Sequence, residues 1–184
     1  DDLFTNFGLD NGNNLVFLLS EMLNFKLKKK SITFKELYDL TENEVIFAAT
    51  CINTSKVKYF NYTFTPEDDV IQAIRMSISV PFYYFPVLFE GNYFVDGGIL
   101  DNYPIQFCNK ESTIGLVVFS DKKNKFNDFG SYMFKVIKLV LNANLLNKIK
   151  NYEDCTIGIV SSEKNFIDLK MNNDSKKILI DRGY

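Results

Sequence analysis

The stretch YFVDGGILDNYPI, residues 93–105, places an aspartate, Asp96, directly after a short apolar run. The two residues that follow, Gly97 and Gly98, carry no side chains. The simplest interpretation is a turn, because Asp-Gly is a common turn pair and glycine adopts positive φ without strain. In α/β proteins, however, ligands bind beyond the carboxyl ends of strands. Asp96 is therefore a candidate functional residue as well as a turn residue.

Apolar runs of strand length alternate with helical periodicity on both sides of this stretch. Thr33 and Glu36 have the spacing of a capping box, and Thr65 followed by Pro66 predicts a second helix start. Alternating strands and helices predict an α/β protein with a mostly parallel sheet and flanking helices, in a single domain over residues 1–184. The predicted strands are 44–51, 56–62, 92–95, 113–119 and 156–160, and the predicted helices are 13–30, 34–40, 66–80, 131–150 and 175–182.

The composition excludes several classes of function. The 184 residues are 46% hydrophobic and carry a net charge of −2, and 28–30 is the only notable lysine cluster, so nothing indicates nucleic-acid binding. The absence of histidine and of any Cys-x-x-Cys pair argues against a zinc site of the usual kind. Three widely spaced cysteines favour a reducing, cytoplasmic setting. No apolar run is long enough to span a bilayer.

A carboxylate at the end of a strand allows three kinds of chemistry. A metal site would need further carboxylates, and only Asp101 is close in sequence. A glycosidase would need a second carboxylate across a sugar cleft. A proton acceptor for a serine nucleophile is the third, because a chain without histidine can form a Ser-Asp dyad but no Ser-His-Asp triad. Burial would have to raise the pKa of such an aspartate above its usual value of about 4.

Three ordered motifs resemble those of the patatin-like phospholipase family. The run 49–54, Ala-Thr-Cys-Ile-Asn-Thr, resembles the family's Ala-Thr-x-x-x-Thr strand. The run 73–81, Ala-Ile-Arg-Met-Ser-Ile-Ser-Val-Pro, is similar to its Ala-x-x-x-Ser-x-Ser-x-Pro helix end. Residues 93–104 are similar to its Asp-Gly-Gly loop with a downstream Asn-x-Pro. The ending at 183–184 is also similar to the family's closing helix, so the resemblance covers essentially the whole chain.

The resemblance implies a serine lipid acyl hydrolase acting on phospholipid or acylglycerol, with no metal and no organic cofactor. Asp96 corresponds to the dyad aspartate that orients and deprotonates the serine. Gly97 and Gly98 would let the serine and the acyl group approach. The remaining matched residues would line the site or support its loop, and they are Ser77, Ser79, Asn102 and Pro104.

The family's Gly-x-Ser-x-Gly nucleophile elbow has no counterpart in this sequence. Gly130-Ser131-Tyr132 lacks the second glycine and follows Asp96, whereas the family's elbow precedes the aspartate. We expect the elbow upstream of Asp1, with the chain truncated at its N-terminus. The alternative is a non-catalytic remnant that binds lipid or a protein partner.

The resemblance also raises the question of membrane contact. The stretch 80–89, VPFYYFPVLF, is dense in aromatic residues and lies close in sequence to Asp96. Core packing with a proline-shaped turn is the simpler explanation, and contact with lipid is the alternative. A cytoplasmic protein that is peripheral at membranes is the corresponding expectation for its location.

Overall fold

The computed structural model describes residues 2–120 and 128–161, together with the single positions 173, 177 and 180. The predicted last helix, 175–182, lies outside the described residues apart from two single positions. The helices are α1 (Asp2–Thr5), α2 (Asn13–Leu27), α3 (Phe34–Thr41), α4 (Val70–Ser77), α5 (Gly98–Asp101) and α6 (Phe129–Ile149). The strands are β1 (Phe47–Cys51), β2 (Lys56–Phe60), β3 (Val87–Phe89), β4 (Asn92–Asp96), β5 (Gly115–Ser120) and β6 (Thr156–Ser161).

The described chain divides into two compact units. The first contains the residues up to Pro104 together with Val140–Leu145, and the second contains Ile105–Leu139 and the residues from Leu146 onward. Asp96 and every other residue that the sequence predicts for the site belong to the first unit. The single domain over 1–184 stays a prediction.

The first unit is built on a four-stranded sheet in the order β2-β1-β4-β3. Its neighbouring strands are all antiparallel, with Ala49 opposite Asp96 where β1 meets β4. The predicted α/β class is confirmed, but mostly parallel pairing is wrong for this sheet. Four residues join β1 to β2 and two join β3 to β4, and such short connections close only antiparallel pairs. In the second unit β5 and β6 pair in parallel.

The β3–β4 turn, Glu90-Gly91, shows why this hairpin closes so tightly. Both residues have positive φ, 49° and 75°, as in the two-residue turns that match the twist of an antiparallel pair. All five predicted strands are confirmed, with differences of at most three residues at either end. The sequence analysis missed β3, because three residues are too few to establish a period.

The core of the first unit lies between the sheet and helices α3 and α4. Phe34, Phe60 and Met76 are fully buried there, and each stabilises the fold by roughly 2 kcal/mol through removal of apolar surface from water. Four of the five residues of β1 are buried, as predicted for a strand that is covered on both faces. The other members of this cluster are Ile32, Ala49, Cys51, Val70, Ala73 and Phe94.

Helix α4 begins four residues later than its sequence signals predict. Pro66 lies in a turn, and the N-cap is Asp69, whose carboxylate accepts a hydrogen bond from the Gln72 N–H at 2.8 Å. The carbonyls of Pro66 and Asp68 instead accept from the first residues of α3, Lys35 at 2.9 Å and Phe34 at 3.2 Å. These two carbonyls are therefore bonded to α3, whereas a helix that began at Pro66 would have used them for its own first hydrogen bonds.

The other helix boundaries agree with the sequence in different degrees. The capping box of α3 is confirmed, with reciprocal hydrogen bonds between Thr33 and Glu36. Helix α2 begins at Asn13 as predicted, but its N-cap is Gly12 at φ 73°, with no side-chain cap. Asp128 caps α6, which begins at Phe129, two residues before the predicted start. Among the described helices, none combines the length and the hydropathy that a membrane crossing requires.

Candidate active site

Asp96 is the last residue of β4 and is partly buried where the strand enters the glycine loop. Its Oδ1 accepts a hydrogen bond from the Gly98 N–H at 2.7 Å. Within the described residues, no lysine or arginine forms an ion pair with it, and Oδ2 accepts no hydrogen bond. Burial raises the pKa of the Asp96 carboxyl, and the bond from Gly98 lowers it by less. A proton acceptor needs this direction of shift.

The same pKa shift predicts how stability depends on pH. Because the native pKa of Asp96 exceeds its unfolded value, the native state binds the proton more tightly, and ionisation destabilises the fold. This contribution is fully present below about pH 4 and is lost as the pH rises through the native pKa. Asp96→Asn keeps an acceptor for Gly98 and carries no charge, so we expect the variant to be more stable than the wild type at neutral pH. Thermal unfolding should show this gain shrinking toward about pH 4, and a variant less stable at neutral pH would contradict the assignment.

Gly97 is required by close packing against β1. A Cβ at this residue would lie 2.1 Å from the carbonyl oxygen of Ala48. The Gly97 carbonyl accepts hydrogen bonds from the N–H groups of Leu100 at 3.2 Å and Asp101 at 2.8 Å, which form the first turn of α5. The Thr50 hydroxyl donates to the same carbonyl at 3.4 Å. Gly97 therefore has a packing role that is independent of any substrate.

Gly98 is packed closely against the carboxylate of Asp96 and the end of the loop. A Cβ there would lie 2.9 Å from Asp96 Oδ1, 2.8 Å from Asn102 Oδ1 and 3.2 Å from Leu141 Cδ2. The atoms that a side chain at this position would meet are one carboxylate oxygen, one amide oxygen and one apolar methyl. The approach of a serine and an acyl group at Gly97 and Gly98 stays a prediction.

Ser77 and Ser79 contact the loop through their backbone carbonyls. The Ser79 carbonyl accepts from the Asp96 N–H at 2.9 Å, and the Ser77 carbonyl accepts from the Gly97 N–H at 3.4 Å. The Ser79 hydroxyl is fully buried, donates to the Arg75 carbonyl at 2.6 Å and accepts from Arg75 Nη1. The end of α4 thus fixes the backbone of the Asp-Gly pair.

Asp101 anchors the far end of the loop. It is 6% exposed, and its Oδ2 accepts from the Tyr59 hydroxyl at 2.6 Å while Oδ1 accepts from the Tyr103 N–H at 3.2 Å. Asn102 is exposed, and Pro104 is partly buried at the end of the unit. The part of the chain that the structure describes contains no group of three potential metal-ligating side chains.

A family model described as patatin-like phospholipase matches residues 1–108, more than half of the 184. The chain belongs to the patatin-like phospholipase family. The crystal structure of VipD from Legionella pneumophila superposes with a TM-score of 0.60 at 20% identity, over 86% of this chain and 34% of that one. This likeness supports the patatin-like α/β fold.

Two viral proteins are similar to nearly the whole of this patatin-like chain. "Probable lipid hydrolase 463L" of Invertebrate iridescent virus 6 is 25% identical, over 94% of this chain and 60% of its own length. "Uncharacterized protein R571" of Acanthamoeba polyphaga mimivirus is 27% identical, over 95% of this chain and 61% of its own length. The chain therefore spans about three fifths of the length of these relatives.

Arg75 is a site-supporting residue that the sequence analysis missed. It is 5% exposed, and its Nη2 donates to the carbonyls of Asn11 at 2.9 Å and Phe85 at 3.1 Å, while Nη1 donates to the Ser79 hydroxyl. Its guanidinium lies 4.8 Å from the centre of the Tyr84 ring. Burial lowers the pKa of this group. Arg75 thus connects three segments of the chain to the serine whose carbonyl holds Asp96.

The position of Arg75 in the sequence is one indication that it is buried. Arg75 lies one turn after Ile71 on the apolar stripe of α4, where a solvated charge is not expected. The structure explains why residue 12 is a glycine, because a Cβ there would lie 2.0 Å from Arg75 Nε and the residue has φ 73°. The segment before α2 therefore approaches the arginine closely.

The aromatic stretch 80–89 is only partly exposed. Tyr83 and Tyr84 are half-buried, and their rings meet edge to face at 4.8 Å between centroids. Phe82 and Leu88 are exposed. The fold accounts for the tyrosines through packing, and lipid contact by this stretch stays a prediction.

Proposed function

We propose that this chain supplies the aspartate of a Ser-Asp dyad in a lipid acyl hydrolase. The observation that carries the proposal is the Asp96 carboxylate, which is held by Gly98 through Oδ1 and has no cation partner among the described residues. Oδ2 accepts no bond there and is available for a proton. Membership of the patatin-like phospholipase family and the name of the iridescent-virus relative support a lipid ester as substrate.

In this mechanism a serine outside the 184 residues attacks the carbonyl carbon of a phospholipid or acylglycerol ester. Asp96 accepts the hydroxyl proton as the C–O bond forms, and backbone N–H groups stabilise the resulting oxyanion. The protonated Asp96 then gives its proton to the departing alcohol oxygen, which leaves an acyl-enzyme. Water then attacks the acyl-enzyme while Asp96 accepts the water proton, and Asp96 returns this proton to the serine oxygen as the ester bond breaks and the fatty acid leaves.

The raised pKa of Asp96 favours both proton transfers in this cycle, acceptance of the serine proton and its later return. A carboxylate with the usual pKa of about 4 would be a weak base toward a serine hydroxyl. Burial without an ion pair brings the pKa closer to the working pH, so the same group can accept a proton and return it.

The test is an assay of the natural polypeptide that contains this chain. We expect release of fatty acid from phospholipid micelles, resistance of that release to a metal chelator, and labelling of one serine outside these 184 residues by a fluorophosphonate. The 184-residue chain alone should release none. A folded natural polypeptide that releases no fatty acid would contradict the proposal and favour the non-catalytic, lipid-binding alternative.

A further inference from the structure

Helix α2 is apolar on nearly all sides, yet it has no buried residue. Nine of its 15 residues are Leu, Val, Phe or Met. A helix with this composition is normally buried in a core. Leu23 packs against the core cluster of the first unit, so one side of the helix is attached to the fold. The opposite side faces solvent with four large apolar side chains, Phe17, Leu18, Met22 and Phe25.

These side chains share one face of the helix with the carboxylate of Glu21. Leu18, Met22 and Phe25 follow the spacing i, i+4 and i+7, which places them on one face as an apolar stripe. Phe17 lies at the edge of this face, separated from Phe25 by Glu21 at the i+4 position between them. Their exposed fractions are 54%, 58% and 77%, with 67% for Phe17. Contiguous exposed apolar side chains of this size mark an interaction surface.

The charges beside the stripe indicate which partner it fits. Residues 13–30 contain four lysines, Lys26 and 28–30, and one acid, Glu21, although the whole chain has a net charge of −2. Lys28 Nζ lies 6.0 Å from the centre of the Phe25 ring, so a cation directly borders the apolar stripe. Lysines next to exposed Phe and Leu are typical of helices that lie in an anionic membrane interface.

Acidic neighbours reduce this positive charge only in part. Lys29 pairs with Glu36 at 2.7 Å and Lys30 with Glu21 at 3.6 Å, and both pairs are well exposed. Exposed pairs of this kind are weak and are readily exchanged for other anions. In the described residues Lys26 and Lys28 have no ion pair.

We propose that the exposed face of α2, made of Phe17, Leu18, Met22 and Phe25 with Lys26 and Lys28 beside them, binds the surface of an anionic lipid bilayer. The helix lies in the plane of the interface, its apolar stripe among the acyl chains and its lysines near the head-group phosphates and carboxylates. The surface is distinct from the Asp96 loop, and its binding does not require hydrolysis.

The test measures sedimentation of the natural polypeptide with vesicles, in the Asp96→Asn background so that the lipid stays intact. We expect at least about tenfold stronger binding to phosphatidylcholine vesicles containing about one third phosphatidylserine than to pure phosphatidylcholine. Leu18→Ser with Phe25→Ser should reduce binding to the anionic vesicles by about tenfold or more. Lys26→Gln with Lys28→Gln should reduce binding to the anionic vesicles only.

The matched control is Ile114→Ser with Leu116→Ser, which removes two comparably exposed apolar side chains from the second unit. This pair should leave binding unchanged. Equal losses from both apolar pairs would show nonspecific adhesion and overturn the proposal. Absence of binding to anionic vesicles, or equal binding to both compositions, would also overturn it, and the first result would indicate that another part of the polypeptide covers the helix. Circular dichroism of each variant confirms that the fold is retained.

Discussion

Replacing Asp96 with asparagine should lower lipid-ester hydrolysis by the natural polypeptide about a thousandfold or more. Asparagine has the same shape and can still accept the Gly98 hydrogen bond, but it cannot take the serine proton. The loss should fall on kcat with little change in KM, because the substituted group acts in the transition state and contributes little to binding of the ground state.

The matched control for this variant is Asp69→Asn. Asp69 caps α4, and asparagine caps a helix as well as aspartate does, so activity should stay within a few-fold of the wild type. Asp96→Asn should lose activity while its stability at neutral pH rises, and a simple folding defect would not give that pair of changes. An Asp96→Asn protein that keeps most of its activity would remove Asp96 from the dyad.

Replacing Gly97 with alanine should lower the free energy of unfolding by about 3 kcal/mol. The backbone of Gly97 has φ −61°, an ordinary value, so alanine meets no conformational penalty there. The cost is steric, because the new Cβ would lie 2.1 Å from the oxygen and 2.5 Å from the carbon of the Ala48 carbonyl. Both are backbone atoms of a buried strand and cannot move without disturbing the β1–β2 and β1–β4 pairings.

Chemical denaturation of Gly97→Ala beside Gly91→Ala separates this clash from the general effect of losing a glycine. Gly91 has φ 75° and no atom within 4 Å of an added Cβ, so its substitution should cost only about 1 kcal/mol through backbone strain. Equal losses in the two variants would mean that β1 shifts to accommodate the methyl group.

The α2 surface and the Asp96 loop belong to the same compact unit, and they suggest a division of roles within it. The loop carries the proposed chemistry and the helix carries the proposed lipid contact. Vesicle binding in the Asp96→Asn background keeps the two proposals separable, since either can fail while the other holds.

Several features of the fold could be predicted from the sequence because they depend on neighbouring residues. The apolar runs located β1, β2, β4, β5 and β6, and the Thr33–Glu36 spacing located the start of α3. Both signals act over a few residues, which is the range of a strand period or a capping box. The Asp-Gly-Gly loop with its flanking motifs was likewise sufficient to indicate the family, because the identity of those residues is itself the signal.

Other features were decided by contacts between distant segments. The periodicity of an apolar run is the same in either strand direction, so only the tertiary structure decided that β1 pairs antiparallel with the distant strand β4. Helix α4 begins at Val70 and not at the predicted Pro66, because the residues before Val70 pair with α3.

The sequence by itself determined where most elements lie, to which family the chain belongs and which carboxylate is the candidate catalytic group. Only the tertiary structure decided that Gly97 packs on Ala48, that the carbonyls of Ser77 and Ser79 hold the loop, and that Arg75 is buried behind it. The tertiary structure also decided that one face of α2 is exposed to solvent. The physical reason is that these hydrogen bonds and packing contacts join groups that are far apart along the chain. A local pattern of residue types does not specify which distant groups will come into contact.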